Sequence, residues 1–137
     1  MNSMKVMGRP REFDEDQVIR KAIALFGERG FNAPPVDAIL SSLGINRSSF
    51  YKLFGSKHGL LHAALEAVCQ EANAGEVTED AKNLVVVTLV EVAPTSHEMR
   101  GLILDASVLC FGKDNAALGE HLLNRASGKL KGETNAQ

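Results

Sequence analysis

LGINRSSFYKLFGSK, residues 43–57, crowds aromatic rings and three cations into one short stretch and the turn that follows it. Gly44 interrupts the chain before it, Asn46 is a good N-cap for RSSFYKLF, and Gly55 closes that segment, so a helix of two turns is expected. Its two faces differ in chemistry. Phe50 and Phe54 are four apart and share one face with Leu53 beside them, which suits a core. Arg47, Ser48, Tyr51 and Lys52 lie toward the other, near the N-terminus or one turn along, and offer cations, a hydroxyl and a phenol. A solvated surface with Tyr51 as amphipathic filler is the plainer account of that face, because charge on a helix surface is ordinary. The sharper account is a helix lying in the major groove, its first residues at base edges and its flanks on phosphate. Lys57, just past Ser56 as cap of the next helix, adds a cation where free N–H groups already favour an anion.

Upstream, FDEDQVIRKAIALFGERGF gives a helix over about 14–29. Asp14 is placed to cap it with Gln17 reaching back, Phe13 to staple against Val18, and Gly30 to end it. Val18, Ile19, Ala22, Ile23, Leu25 and Phe26 recur at spacings of three and four as one apolar stripe. In NAPPVDAILSSLG, Pro34 and Pro35 preset the backbone for a first helical turn, and Val36, Ile39, Leu40 and Leu43 mark a helix of barely two turns. Two short helices around a Gly-containing turn are the helix-turn-helix arrangement. Phe50 and Phe54 then complete a three-helix core with Phe26, Phe31 and Ile39.

Downstream, Lys57 through about Asn73 carries Leu60, Leu61, Ala64, Leu65, Val68 and Cys69 as another stripe. His58 and His62, four apart in HGLLH, have metal-ligand spacing, yet Gly59 stands where a metalloprotease helix needs Glu and no third ligand is evident, so no metal is expected. AGEVTED reads as a loop. LVVVTLVEV fits a buried strand as well as a buried helix; helix is the reading adopted, since no second strand candidate is present to pair with it. Pro94 ends that segment, Ser96 caps HEMRGLILDASVLCFG, and Asp114 or Asn115 opens AALGEHLLNRASGKL. KGETNAQ, residues 131–137, is expected to be a disordered tail.

Composition narrows the function classes. The 137 residues, 45% of them hydrophobic, suffice for one core or a small domain with a compact companion. The longest apolar run, LVVVTLV at residues 84–90, is far too short to cross a bilayer, and MNSMKVMGRPRE lacks the apolar stretch of a secretory signal. Residues 1–12 read instead as a flexible basic arm bearing Lys5, Arg9 and Arg11, and a cytoplasmic location is the default. Residues 1–57 sum to +3 and residues 58–137 to −5, a split that suits an N-terminal portion meeting a polyanion. Cys69 and Cys110 lack CxxC spacing and read as buried, reduced thiols, with a redox-sensing pair as the lesser alternative. No Ser/His/Asp or Cys/His set has local support and no Gly-rich phosphate loop follows a strand, so neither an enzyme nor a cofactor is expected.

VIRKAIALFGERGFNAPPVDAILSSLGINRSSFYKLFGSKHGLL, with the arm GRPREF before it, resembles the DNA-binding domain of the TetR family of bacterial transcriptional regulators. The resemblance covers residues 9 to about 68. It implies that Arg47, Ser48 and Tyr51 sit on the recognition helix and that Lys57 touches phosphate. Two departures stand out: Pro34 and Pro35 where the family often has Ser or Thr, and Leu53 where it commonly has His. The family's second half is a helical domain with a ligand cavity, and its last two helices usually form the dimer interface, before which this chain is expected to stop.

The resulting expectation is an all-α protein: an arm (1–12), a helix-turn-helix domain (13–56), a shortened helical ligand and dimerisation domain (57–130) and a tail. Its function would be that of a sequence-specific DNA-binding regulator, a ligand-responsive repressor acting on a double-stranded operator. A homodimer built between about 96 and 130 would use apolar residues such as Leu102, Leu109, Phe111 and Leu122. A hydrophobic small-molecule effector would fill a pocket lined by Leu65, Cys69, Met99, Ile103 and Phe111. The alternative is a shortened interaction protein that binds no DNA and pairs with another regulator through exposed helices.

Overall fold

Local capping chemistry accounts for where the helices begin. The structure, a computed structural model, describes residues 14–128, and among them every regular element is α-helical: α1 Glu15–Arg29, α2 Val36–Leu43, α3 Arg47–Phe54, α4 Lys57–Asn73, α5 Glu79–Glu91, α6 His97–Phe111 and α7 Asn115–Ala126. The expected basic arm, the Phe13 staple and the C-terminal tail lie outside the described residues. Asp14 accepts from the Asp16 N–H at 3.0 Å, Asn46 from Ser49 at 2.7 Å, Ser56 from Gly59 at 2.9 Å, Thr78 from Ala81 at 3.1 Å, Ser96 from Met99 at 3.2 Å and Asp114 from Ala116 at 3.0 Å. Each satisfies a first-turn donor that the helix itself leaves without a partner. α2 is the exception: Pro35 occupies its N-cap and supplies no side-chain acceptor.

One continuous core runs from Val18 on α1 to Phe111 at the end of α6. Phe26, Ile39, Phe50, Leu60, Leu61 and Leu65 have no exposed surface, which joins α1, α2, α3 and α4. The ambiguous LVVVT run is helical, and it is buried on all sides: Leu84, Val85, Val86, Val87 and Thr88 are buried in succession. A helix surrounded by others shows no apolar stripe, which is why periodicity does not reveal it. The Thr88 hydroxyl donates within its own helix, to Leu84 O at 2.9 Å and Val85 O at 3.0 Å, so its burial leaves no orphan donor.

The broadest packing in the molecule is α1 against α5. Gly27 permits it: a Cβ there would stand 3.0 Å from Asn83 Cβ and 3.2 Å from both Asp80 O and Leu84 N. The helices expected to be split between two domains therefore share their largest interface.

Two apolar assignments need correction. Leu53 is 37% exposed, because the two-turn α3 buries only an arc centred on Phe50. On α6 and α7, Leu102 and Leu109 are partly covered and Phe111 is buried, while Leu104, Val108, Leu122 and Leu123 are exposed. The outward arc of α6 runs through 101, 104, 105 and 108, one step round the helix from the residues expected there.

α7 is fastened by polar side chains. His121 is buried with Nε2 2.9 Å from Asn83 Oδ1 and Nδ1 3.7 Å from Glu79, and Arg125 donates to the Gly27 carbonyl. Burial lowers the His121 pKa from its ordinary 6.5, opposed by Glu79 and assisted by Lys82 and Arg125. The unfolded chain therefore takes up this proton first as pH falls. The stability linked to His121 is fully present above about pH 6.5 and is lost as pH drops through the folded value. Melting temperatures at pH 7.5 and 5.5 should accordingly differ more for the wild type than for His121→Gln; equal differences would remove the assignment.

Candidate nucleic-acid interface

The sharp turn between α2 and α3 is made by Gly44, whose φ of 75° is left-handed and whose N–H donates to Leu40 O at 2.9 Å. Ile45 follows as a buried plug. α3 is then held by Phe50, which meets Tyr51 edge-on at 4.9 Å and Phe54 at 6.0 Å between ring centroids. With Phe50 inward, Arg47, Ser48, Tyr51 and Lys52 all emerge on the exposed side of one helix. Tyr51 keeps 43% of its surface open despite its contact with Phe50.

Arg47 does not stand free. Its Nη2 pairs with the carboxylate of Asp37 on α2, both groups being exposed. A solvent-exposed pair of this kind contributes about 0–1 kcal/mol, so Arg47 is oriented by Asp37 rather than locked to it. One guanidinium nitrogen is engaged and the remaining donors stay available to a partner. The sequence reading missed Asp37; its signal was an acid ten residues before Arg47, on the neighbouring helix and across the turn.

Lys57 is brought to a different place. Its ammonium donates to Pro34 O at 2.8 Å and Asn32 O at 3.4 Å and lies 4.8 Å from the centroid of the Phe31 ring. Burial pushes its pKa below the ordinary lysine value, and the nearby Glu91 carboxylate opposes that shift. It ties α4 to the loop between α1 and α2, while the α3 group faces outward.

Of the five residues expected to line a ligand pocket, Leu65, Met99 and Ile103 are buried in the core between α4 and α6, Phe111 is buried at its edge and Cys69 is partly covered. Phe111 also borders a cleft of about 300 Å³ with Cys110, His121, Glu79 and Lys82. A second, open groove of about 450 Å³ lies between α1 and α4, floored by Ile19, Ile23 and Ala67 and rimmed by Glu15, Glu66 and Glu71. Burial raises both thiol pKa values, that of Cys110 to about 11, so neither is a thiolate at neutral pH. His58 packs edge-on to Phe31 at 4.9 Å while His62 stands 3.6 Å from Glu66. No group of three or more metal-ligating side chains occurs among the described residues, and no helix there is long and apolar enough to cross a membrane.

Residues 18–64, from the buried face of α1 through the first half of α4, match the sequence model of the family described as bacterial regulatory proteins, tetR family. Among curated proteins, the chain is 40% identical over 68 residues to the uncharacterized HTH-type transcriptional regulator YezE of Bacillus subtilis, a match covering 50% of this chain and 35% of that one. It is 46% identical over 61 residues to the HTH-type transcriptional repressor BdcR of Escherichia coli, covering 44% and 31%. To the HTH-type transcriptional repressor ComR of the same organism it is 34% identical over 62 residues, covering 45% and 30%. The chain thus spans about a third of the length of these relatives. No solved structure matches it.

Proposed function

With residues 18–64 a helix-turn-helix segment of the TetR type, we propose that the chain is a sequence-specific DNA-binding transcriptional regulator, a repressor relieved by a small molecule. The observation that carries this reading is the face of α3, where Arg47, Ser48, Tyr51 and Lys52 are exposed together on a helix anchored by a fully buried Phe50. In this reading Arg47 and Ser48 approach base edges and Tyr51 and Lys52 meet the backbone of a double-stranded operator. Lys57, which also holds the α1–α2 loop, meets phosphate at the start of α4. Residues 13–56 act as the DNA-binding unit and residues 57–130 as the part that meets effector and partner.

A cytoplasmic homodimer would read a two-fold site. The exposed Leu104 and Val108 of α6 and Leu122 and Leu123 of α7 are the apolar surface for that pairing. The two α3 helices would then lie about 34 Å apart or a small multiple of that. An apolar effector would have to part α4 from α6 to reach Leu65, Met99 and Ile103, because the cleft beside Phe111 is lined mainly by Glu79, Lys82, Glu120, His121 and Asn124. If instead the chain binds no DNA, the same exposed leucines and valine would make it a pairing protein for another regulator.

The deciding experiment is a gel shift on DNA upstream of its own coding region, with oligomeric state measured by light scattering on the same material. Arg47→Ala should cost about 1–3 kcal/mol at the selected site and blur preference at one position per half-site, as expected for loss of a bidentate base contact. Lys52→Ala should weaken every duplex alike and reduce the salt slope by about 1 for each lost phosphate contact. Wild-type-like binding by both folded variants would remove the assignment to the face of α3, and a wild type that binds no duplex would leave the pairing protein as the better reading.

A further inference from the structure

The loop that delivers α2 is gripped from two directions by residues distant in sequence. From the end of α5, Glu91 Oε1 accepts the backbone N–H groups of both Phe31 and Asn32, each at 2.9 Å. From the start of α4, Lys57 donates to the carbonyls of Pro34 and Asn32. Phe31, between the two grips, is buried, with its ring centroid 5.2 Å from Phe26 and 4.9 Å from His58. Gly30 makes the approach of Glu91 feasible: its φ is 89°, and a Cβ there would stand 2.8 Å from Glu91 Oε2.

Two backbone donors converging on one carboxylate oxygen are charge-assisted bonds, stronger than neutral ones. Their effect passes directly to α2. Because Pro35 gives α2 no side-chain cap, the start of that helix is set by the loop before it rather than by its own first turn. α2 bears Asp37, and Asp37 orients Arg47 on α3. Every link between Glu91 and Arg47 is thus a packed loop, a helix or a polar contact.

We infer that Glu91 is a positioning residue for DNA binding: its carboxylate, presented by α5, sets the α1–α2 loop and through it the placement of α2 and Arg47. This rests on the DNA-binding reading above. It also makes α5, outside the segment matched by the family, a determinant of operator affinity.

The full chain tests it, with the DNA upstream of its own coding region as probe. Glu91→Gln keeps an acceptor oxygen for both N–H groups and loses the charge, whereas Glu91→Ala loses both. Glu91→Ala should bind that duplex about tenfold more weakly or worse, as expected from losing hydrogen bonds to a charged group, and Glu91→Gln should stay within about threefold of the wild type. Amide exchange at Phe31 and Asn32, followed by NMR, should accelerate in Glu91→Ala and be restored in Glu91→Gln. Should Glu91→Ala not fold, Glu91→Asp, one methylene short of the loop, takes its place and is expected to lose binding likewise. Wild-type affinity in the shortened or truncated variant, or a Glu91→Gln as weak as Glu91→Ala, overturns the inference while the DNA-binding reading stands. A wild type that shifts no duplex overturns both.

Discussion

Phe50→Ala is expected to destabilise the helix-turn-helix unit and the core attached to it by a large share of their stability. The ring has no exposed surface and is the one residue of α3 that is fully inside, in contact with Tyr51 and Phe54 and with the core shared by α1, α2 and α4. Removing a buried Phe typically costs about 3–5 kcal/mol through lost transfer energy and the cavity left behind. Against a total stability of about 5–15 kcal/mol for an ordinary domain, that is a large share. Since α1 is buried against α5 as well as against α2 and α4, the loss should appear across the whole chain and not in α3 alone. Urea titration followed by circular dichroism is the check, with Phe54→Ala as a milder companion because that ring is only partly covered. A Phe50→Ala midpoint indistinguishable from the wild type would mean that α3 is not anchored by this ring.

The second large effect runs against helix propensity. Gly59 lies in the first turn of α4, where Ala is intrinsically better than Gly by about 1 kcal/mol, so local reasoning favours Gly59→Ala. Packing reverses the sign. An added Cβ would fall 1.9 Å from the carbonyl oxygen of Phe54 and 3.0 Å from its carbonyl carbon, inside the space that the end of α3 occupies. A backbone carbonyl at the end of a helix does not swing aside as a side-chain tip does, so α3 and α4 must separate. Overpacking of this kind costs about 1–3 kcal/mol and sometimes more, and here the overlap places the effect at the upper end. The Ser56 cap, which depends on the Gly59 N–H, would be strained by the same displacement. Thermal melting of Gly59→Ala should show a lower midpoint than the wild type; a higher one would mean that propensity governs this turn.

The sequence was most informative where structure is local. Asp14, Asn46, Ser56, Ser96 and Asp114 were readable as helix starts because an N-cap and its donor lie two or three residues apart. The outward set on α3 was readable for a similar reason, since eight residues determine which side chains share a face. What could not be read depended on partners elsewhere in the chain. Leu53 sits at the rim because of how α3 meets α4, and the outward arc of α6 is decided by α4 and α5. Nothing local to Lys57 announces the carbonyls that hold it, which lie 23 and 25 residues earlier. Glu91 reaches a loop 60 residues before it, and nothing in its neighbourhood announces that contact.

That separation has a consequence in time. The main partner of α1 is α5, and the bonds at the end of that interface join residues 59 and 60 positions apart. At a synthesis rate of about 5–20 residues per second, roughly 3–12 seconds pass between the emergence of the α1–α2 loop and that of Glu91. During that interval the face of α1 destined for α5 has no lasting cover, so the nascent helix-turn-helix must wait, half-dressed, for a helix the ribosome has yet to make.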